Sequence, residues 1–289
     1  MQFRLSITVT ILIIFSVMHS SGFAKESIEV RFPRPAADID PQSDYIHAVL
    51  KLALKNAPVS YQLKPSSAKM DQARAIYEMT TPNGIVDILW TMSTDEREAQ
   101  LIPIRIPIDK GLIGWRIPLV NRNNADLLKN VKSLDNLRVF SAGQEQDWPD
   151  VPILKANTLP VITSAAYEPL FNMLKAGRFD YFPRSIFEIL SEYSAHPNHN
   201  LYVDQHIILH YPAAFYFFVT PRKPMLAKDL KIGLEVAIKN GRFEKLFQKY
   251  HQMSIRKANI KQRVVIELRN PLSTPEKLPM NRPELWFTP

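Results

Sequence analysis

The 289-residue chain contains no cysteine. That excludes disulfides, cysteine-based zinc sites, iron–sulfur centres and thiol nucleophiles, and with them a lipid anchor on a cysteine at a leader cleavage site. Glycine is scarce, eight residues against 23 prolines, so flexible linkers are few and turns are stiff. No period of roughly 20–50 residues recurs, which argues against a solenoid. Beyond the N-terminal segment no stretch reaches the about 20 apolar residues needed to cross a bilayer. No Walker loop, zincin helix or Gly-x-Ser-x-Gly elbow occurs. The seven histidines form no metal pattern. His196 and His199 sit in an Asn/Pro loop, His206 and His210 flank an apolar strand, and no carboxylate completes a ligand set. Neither a metal nor a cofactor is expected.

The first distinctive feature present is the N-terminus. Arg4 is the only charge before Lys25, the apolar run Val9 to Val17 follows, and Gly22 and Ala24 supply small residues before Lys25. This reads as a cleaved signal peptide over residues 1–24, giving a periplasmic address. The alternative, a membrane anchor, needs a longer apolar run. The formal charge is +8, and about +7 once Arg4 is removed. That surplus is either a solubility device or an attraction to anions or an anionic membrane surface. No basic run is dense enough to suggest nucleic acid.

Periodicity then sets out an α/β pattern. Residues 28–32 alternate as a strand. Asp40-Pro41 supplies a helix start, and Ile46, Val49, Leu50, Ala53 and Leu54 recur at helical spacing. Val59 to Leu63 is a strand, Met70 to Met79 a helix, and Ile85 to Trp90 an apolar run suited to a strand buried on both faces. The β-α-β-α-β order implies right-handed crossovers and a parallel sheet. A long extended stretch, Ile104 to Val120, is punctuated by three prolines. A second α/β unit starts at Leu137 to Phe140. A helix is expected over Val161 to Ala176, kinked or ended at Pro169. Phe179 to Phe182, Ile207 to Leu209 and Phe215 to Val219 read as strands, and Ser185 to Tyr193 as a helix. The last long helix, Ala227 to His251, has an interruption near Asn240-Gly241. Val264 begins a further strand, followed by a Pro-rich strap whose Leu285, Trp286 and Phe287 are expected to pack on lobe one.

Four segments together resemble the family 3 extracellular solute-binding proteins, the amino-acid binders of ABC importers. They are Asp87-Ile88 running to Thr94-Asp95-Glu96-Arg97; Ser133 to Leu137 with Val139 and Gly143; Met173 to Asp180; and Asn240 to Tyr250. The resemblance implies an α/β, two-lobed type II periplasmic-binding-protein fold with a hinge of two crossing strands. On it, lobe one comprises residues 25–118 and 220–289 and lobe two residues 119–219, with hinge rotation about strands near Ile117–Val120 and Phe215–Val219.

The same resemblance implies the candidate site. Arg97 would hold a ligand carboxylate through its guanidinium fork, which matches a carboxylate bidentately; the alternative is an exposed helix-start arginine paired with Asp95 or Glu98. Thr94 would add a hydroxyl or simply cap a helix. Gly143 and Gln144 would present lobe-two amides to the same carboxylate, or form only a turn. At Arg184 the family usually carries an aspartate for the ligand's ammonium. An arginine there would favour a second anionic end, unless it caps the surface and pairs with Glu188. Glu188 and Glu192, one helical turn apart, read as a solvated face. Trp90, Trp115 and Trp148 are candidate cleft aromatics, with Trp90 also suited to the core, and Tyr45 could reach the mouth.

The expected function is a monomeric periplasmic solute-binding protein. It captures a small anionic metabolite, amino-acid-like or a dicarboxylate, and presents it to an inner-membrane ABC permease or a sensor. A dehydratase-like enzyme on the same fold, using Glu145 or Asp147, and an orphan envelope interaction protein are the alternatives.

Overall fold

The strand Phe215–Val219 shows how the first lobe is built. All five of its residues, Phe-Tyr-Phe-Phe-Val, are buried. Phe215, Phe217 and Val219 enter one apolar layer, Tyr216 and Phe218 the opposite one. A strand with no polar face is stable only when covered on both sides. Each fully buried aromatic contributes about 1.5–3 kcal/mol of hydrophobic stabilisation.

The coordinates, a computed structural model, describe residues 27–35, 43–273 and 277–289. The leader and the Asp40-Pro41 helix start lie outside the described residues. In chain order, lobe one opens with β1 (Ser27–Pro35), α1 (Ser43–Leu54), β2 (Ser60–Met70), α2 (Gln72–Thr80), β3 (Ile88–Met92), α3 (Asp95–Gln100) and β4 (Ile102–Ile104). The chain crosses along β5 (Trp115–Asn121) into α4 (Leu134–Leu137), β6 (Ala142–Glu145), α5 (Asp150–Ala156), β7 (Val161–Ser164), α6 (Pro169–Lys175), β8 (Tyr181–Ser185), α7 (Ile189–Ala195) and β9 (Leu201–Val203). It returns along β10 (Ile207–His210) to β11 (Phe215–Val219), α8 (Pro224–Lys239), α9 (Arg242–Ala258) and β12 (Val264–Glu267).

In lobe one, β11 lies antiparallel between β3 and β4, and β1 pairs in parallel with β2. The Asp87 amide donates to the Arg31 carbonyl at 2.8 Å, and the Arg31 guanidinium clasps the Asp87 carboxylate at 3.0 Å, joining the two ladders. The helices α1 and α8 cross closely, because a Cβ at Gly233 would stand 1.7 Å from the Ala53 carbonyl oxygen. In lobe two the strands run β5-β8-β6-β7. β6 is parallel to β7 and β8, while β5 is antiparallel to β8.

Several expectations are corrected. The second α/β unit does not open with a strand at Leu137 to Phe140. Ser133 caps a one-turn helix there, Val139 is 77% exposed, and the strand follows at β6. No helix spans residues 161–176. Val161–Ser164 pairs with β6, and Pro169 occupies the first turn of α6, where its missing N–H costs nothing. The second crossing strand is β10, not Phe215–Val219. β10 pairs with β5 through Leu209–Arg116 and His210–Trp115, whereas Phe215–Val219 is the middle strand of lobe one. The return to lobe one therefore comes near residue 211, not 220. The close approach of the hinge strands rests on Gly114, where a Cβ would lie 2.1 Å from the Tyr211 carbonyl oxygen.

The C-terminal segment adds a third connection. β12 pairs in parallel with β10. Next, the backbone N–H and C=O of Arg269 bond reciprocally to the Asn157 side chain of lobe two, at 2.9 and 2.8 Å. Three residues later the Asp95 amide of lobe one donates to the Leu272 carbonyl, and the Ser273 hydroxyl to the Ser93 carbonyl. Leu285 is fully buried, Trp286 covers Gly111, and the Phe287 amide bonds Lys110.

Candidate functional site

A crevice of ≈ 180 Å³ lies where the two lobes meet the hinge. Lobe one supplies Gln72 from the start of α2 and Trp90, Thr91 and Met92 from the end of β3. Lobe two supplies Trp148, Asp150, Arg184 and Glu188, and β5 supplies Arg116. An adjoining recess of ≈ 430 Å³ shares Trp148 and Pro149 and reaches Thr94 and Arg97; Pro271 and Leu272 of the strap form one wall. Strand ends facing each other across two α/β lobes are where such folds place ligands.

Arg97 projects from α3, whose N-cap is Thr94; the Thr94 hydroxyl accepts from the Arg97 amide at 3.2 Å. The residue is 8% exposed. One terminal nitrogen donates to the Thr91 hydroxyl (2.8 Å) and the Met92 carbonyl (2.9 Å), the other to the Gln72 amide oxygen (2.6 Å). All three acceptors are neutral, and no carboxylate pairs with it among the described residues. Burial pushes its pKa down to about 10, against the pull of Glu96 and Asp150, and it stays charged at neutral pH. Of five N–H donors, these bonds use three. The expectation of an exposed arginine paired with Asp95 or Glu98 is set aside by this burial. Asp95 instead pairs with Lys277, and Glu98 with Arg105.

Arg184 also borders the crevice, and it is buried rather than capping the surface. Its charge is spent internally. Nε and a terminal nitrogen grip Glu192 at 2.6–3.0 Å, and Glu188 lies at 3.2 Å. Its guanidinium is 4.6 Å from the Trp148 ring and 4.9 Å from Phe182. Arg116 continues the array, bonding Glu188 at 3.0 Å and Asp150 at 2.9 Å, while Tyr211 donates to Asp150. The result is a buried alternation, Asp150–Arg116–Glu188–Arg184–Glu192, with three carboxylates against two guanidiniums. Glu188 and Glu192 are thus not a solvated face.

The other expected residues divide. Trp90 lines the crevice and Trp148 lines both spaces. Trp115 does not; it stacks on His210 at 3.9 Å beneath the strap. Tyr45 is core: its hydroxyl donates to the Ile108 carbonyl and its ring packs on Tyr250 and His251. Gly143 and Gln144 lie inside β6, pairing with Ile162 and Thr163, not at a helix start. The Gly143 position is tight because a Cβ would meet the Phe179 ring at 2.2 Å. The neighbouring Glu145 carboxyl is pushed up to about 7, by burial first and then by Asp71, across in lobe one, and Asp147.

Sequence reasoning missed Gln72, Arg116 and Asp150. Arg116 carried a signal: it is the only charge between Lys110 and Arg122 in an otherwise apolar stretch. No group of three or more His, Asp or Glu side chains suited to a metal occurs among the described residues.

Neither a protein-family profile nor a curated protein sequence matches the chain. Solved structures do. An ancestral arginine-binding protein bound to arginine aligns at 17% identity and TM-score 0.55, covering 78% of this chain and 97% of that one. A Salmonella typhimurium periplasmic binding protein with high arginine specificity aligns at 15% and 0.55, covering 78% and 99%. The chain has the type II periplasmic-binding-protein fold. An ancestral amino acid-binding protein, precursor of cyclohexadienyl dehydratase, shares this fold at 16% identity and TM-score 0.55, covering 78% and 95%. Within it, β5 and β10 are the hinge crossings, and the strap from β12 onward runs beside them.

Proposed function

We propose that the chain is a periplasmic solute-binding protein that closes its lobes on a small carboxylate-bearing solute. The observation that carries this reading is Arg97, a buried guanidinium at the interlobe recess whose described partners are all neutral. Such a cation is completed by a ligand carboxylate, whose two oxygens accept parallel hydrogen bonds from the N–H groups of the fork. Gln72 and Thr91 hold the fork in place, so little side-chain freedom is lost on binding.

The rest of the crevice favours an amino-acid-like zwitterion over a dicarboxylate. A second anionic end was attractive while Arg184 offered a spare charge. With Arg184 shared by Glu188 and Glu192, the alternating array holds one carboxylate in excess, and Asp150 faces the crevice. A ligand ammonium fits that excess. Closure would then present the joined lobes to a membrane transporter or sensor.

The test is a thermal-shift panel of amino acids and dicarboxylates. A true ligand at a hundredfold excess over its Kd stabilises by about 2.7 kcal/mol, and the shift disappears in Arg97→Met. A shift that survives Arg97→Met, or none across carboxylate-bearing solutes, refutes the reading. A second reading, an enzyme on this fold, has one observation in its favour: Glu145, with a pKa raised to about 7, is tuned for proton transfer. Consumption of the bound solute, followed by NMR, would select it.

A further inference from the structure

The chain's charge is unevenly placed. α8 and α9 together carry eight lysines and arginines against three carboxylates, a surplus of five out of the formal +8 for the whole chain. The three acids are already engaged: Asp229 accepts from the Tyr61 hydroxyl at 2.7 Å, Glu235 pairs with Arg282, and Glu244 with Lys110. Lys228, Lys231 and Lys239 are exposed along α8, with no carboxylate partner among the described residues.

Large apolar side chains stand among these lysines. Met225, Ile232 and Val236 of α8 are 60%, 53% and 44% exposed, although the opposite face of the same helix buries Leu226, Leu230 and Leu234. A soluble surface helix normally keeps its outer face polar. After Gly241, α9 continues the pattern with exposed Lys245, Lys249 and Met253.

We infer that the outer face of α8, continued by α9, docks on an anionic lipid surface. Lysines attract the headgroup layer, and interleaved apolar side chains enter the boundary beneath it. The cations run along a helix about 24 Å long instead of gathering round one spot. Mobile headgroups can rearrange under so diffuse an array, which a fixed acidic protein surface cannot do. The inference is independent of Arg97 and of any ligand in the crevice.

The test is co-sedimentation of the full chain with phosphatidylglycerol-containing vesicles and with pure phosphatidylcholine vesicles. The neutral vesicles report any contribution from the apolar N-terminus. The triple variant Lys228→Glu/Lys231→Glu/Lys239→Glu is compared with Lys129→Glu/Lys132→Glu/Lys155→Glu, which changes the charge equally on exposed positions of lobe two. Preferential binding to phosphatidylglycerol is expected. The α8 variant loses at least about tenfold and the lobe-two variant stays within about twofold. The milder Lys→Gln triple on α8 shifts binding in the same direction, which separates docking from misfolding. Equal binding to both vesicles, or equal losses in the two charge-reversed variants, overturns the inference.

Discussion

Replacing Arg184 by methionine tests whether its charge serves the fold or a ligand. Methionine keeps much of the packing against Trp148 and Phe182 but removes the cation from between Glu192 and Glu188. Glu192 and Glu188 are 2% and 7% exposed; Glu188 keeps Arg116 at 3.0 Å, so the buried charge that loses its cation is that of Glu192. Breaking a buried ion pair by deleting one partner costs about 3–5 kcal/mol. At roughly 2–4 °C per kcal/mol for chains of some 150–250 residues, melting should fall by ~10 °C. Adding Glu192→Leu should recover part of the stability, since an apolar pair tolerates burial better than a single charge. The assay is thermal or urea unfolding. A loss under about 1 kcal/mol would refute the alternating array as a structural unit.

Three further outcomes are expected. Asn157→Ala leaves the Arg269 N–H and C=O without their lobe-two partner, and should cost about 1–3 kcal/mol in urea unfolding; an unchanged midpoint would mean the strap does not tie the lobes. Gly114→Ala drives a Cβ to 2.1 Å from the Tyr211 carbonyl, so it should lower the melting temperature and weaken ligand binding by parting β5 from β10; wild-type behaviour would contradict the hinge geometry. Glu145 has a folded pKa raised to about 7, so its contribution is fully present below the ordinary carboxylate range and lost as pH rises through about 7. Wild type should lose up to about 3 kcal/mol over that window and Glu145→Gln should not; parallel pH profiles would dismiss the burial and the Asp71–Glu145–Asp147 repulsion as its cause.

The elements that were legible from sequence share one property: their apolar pattern is local. The α1 stripe Ile46–Val49–Leu50–Ala53 and the continuous β11 run each carry a period that only one element satisfies. The α8–α9 break showed at Asn240-Gly241 because Gly241 takes a left-handed φ of +73°. Residues 161–176 misled because Val161 and Ile162 preceding Pro169 extend a helical period by coincidence, while β-sheet pairing with β6 decides their state. The hinge was misplaced for a similar reason. β10 and β11 are both short apolar runs, and only long-range pairing tells a crossing strand from a central one. At the site, Arg97 was reachable through its Thr-x-x-Arg context. The identity of its partners was not, because Gln72 lies 25 residues away. Arg184's fate turned on Glu192, eight residues further on in α7, whose burial no local pattern reveals.

Native mass spectrometry of freshly purified chain tests the central claim most directly, with wild type and Arg97→Lys measured side by side. Wild type should carry a single small solute bearing a carboxylate. Arg97→Lys, which keeps the charge but loses the fork, should carry little or none. Equal occupancy of the two proteins by the same solute, or a retained solute with no carboxylate, would contradict the account.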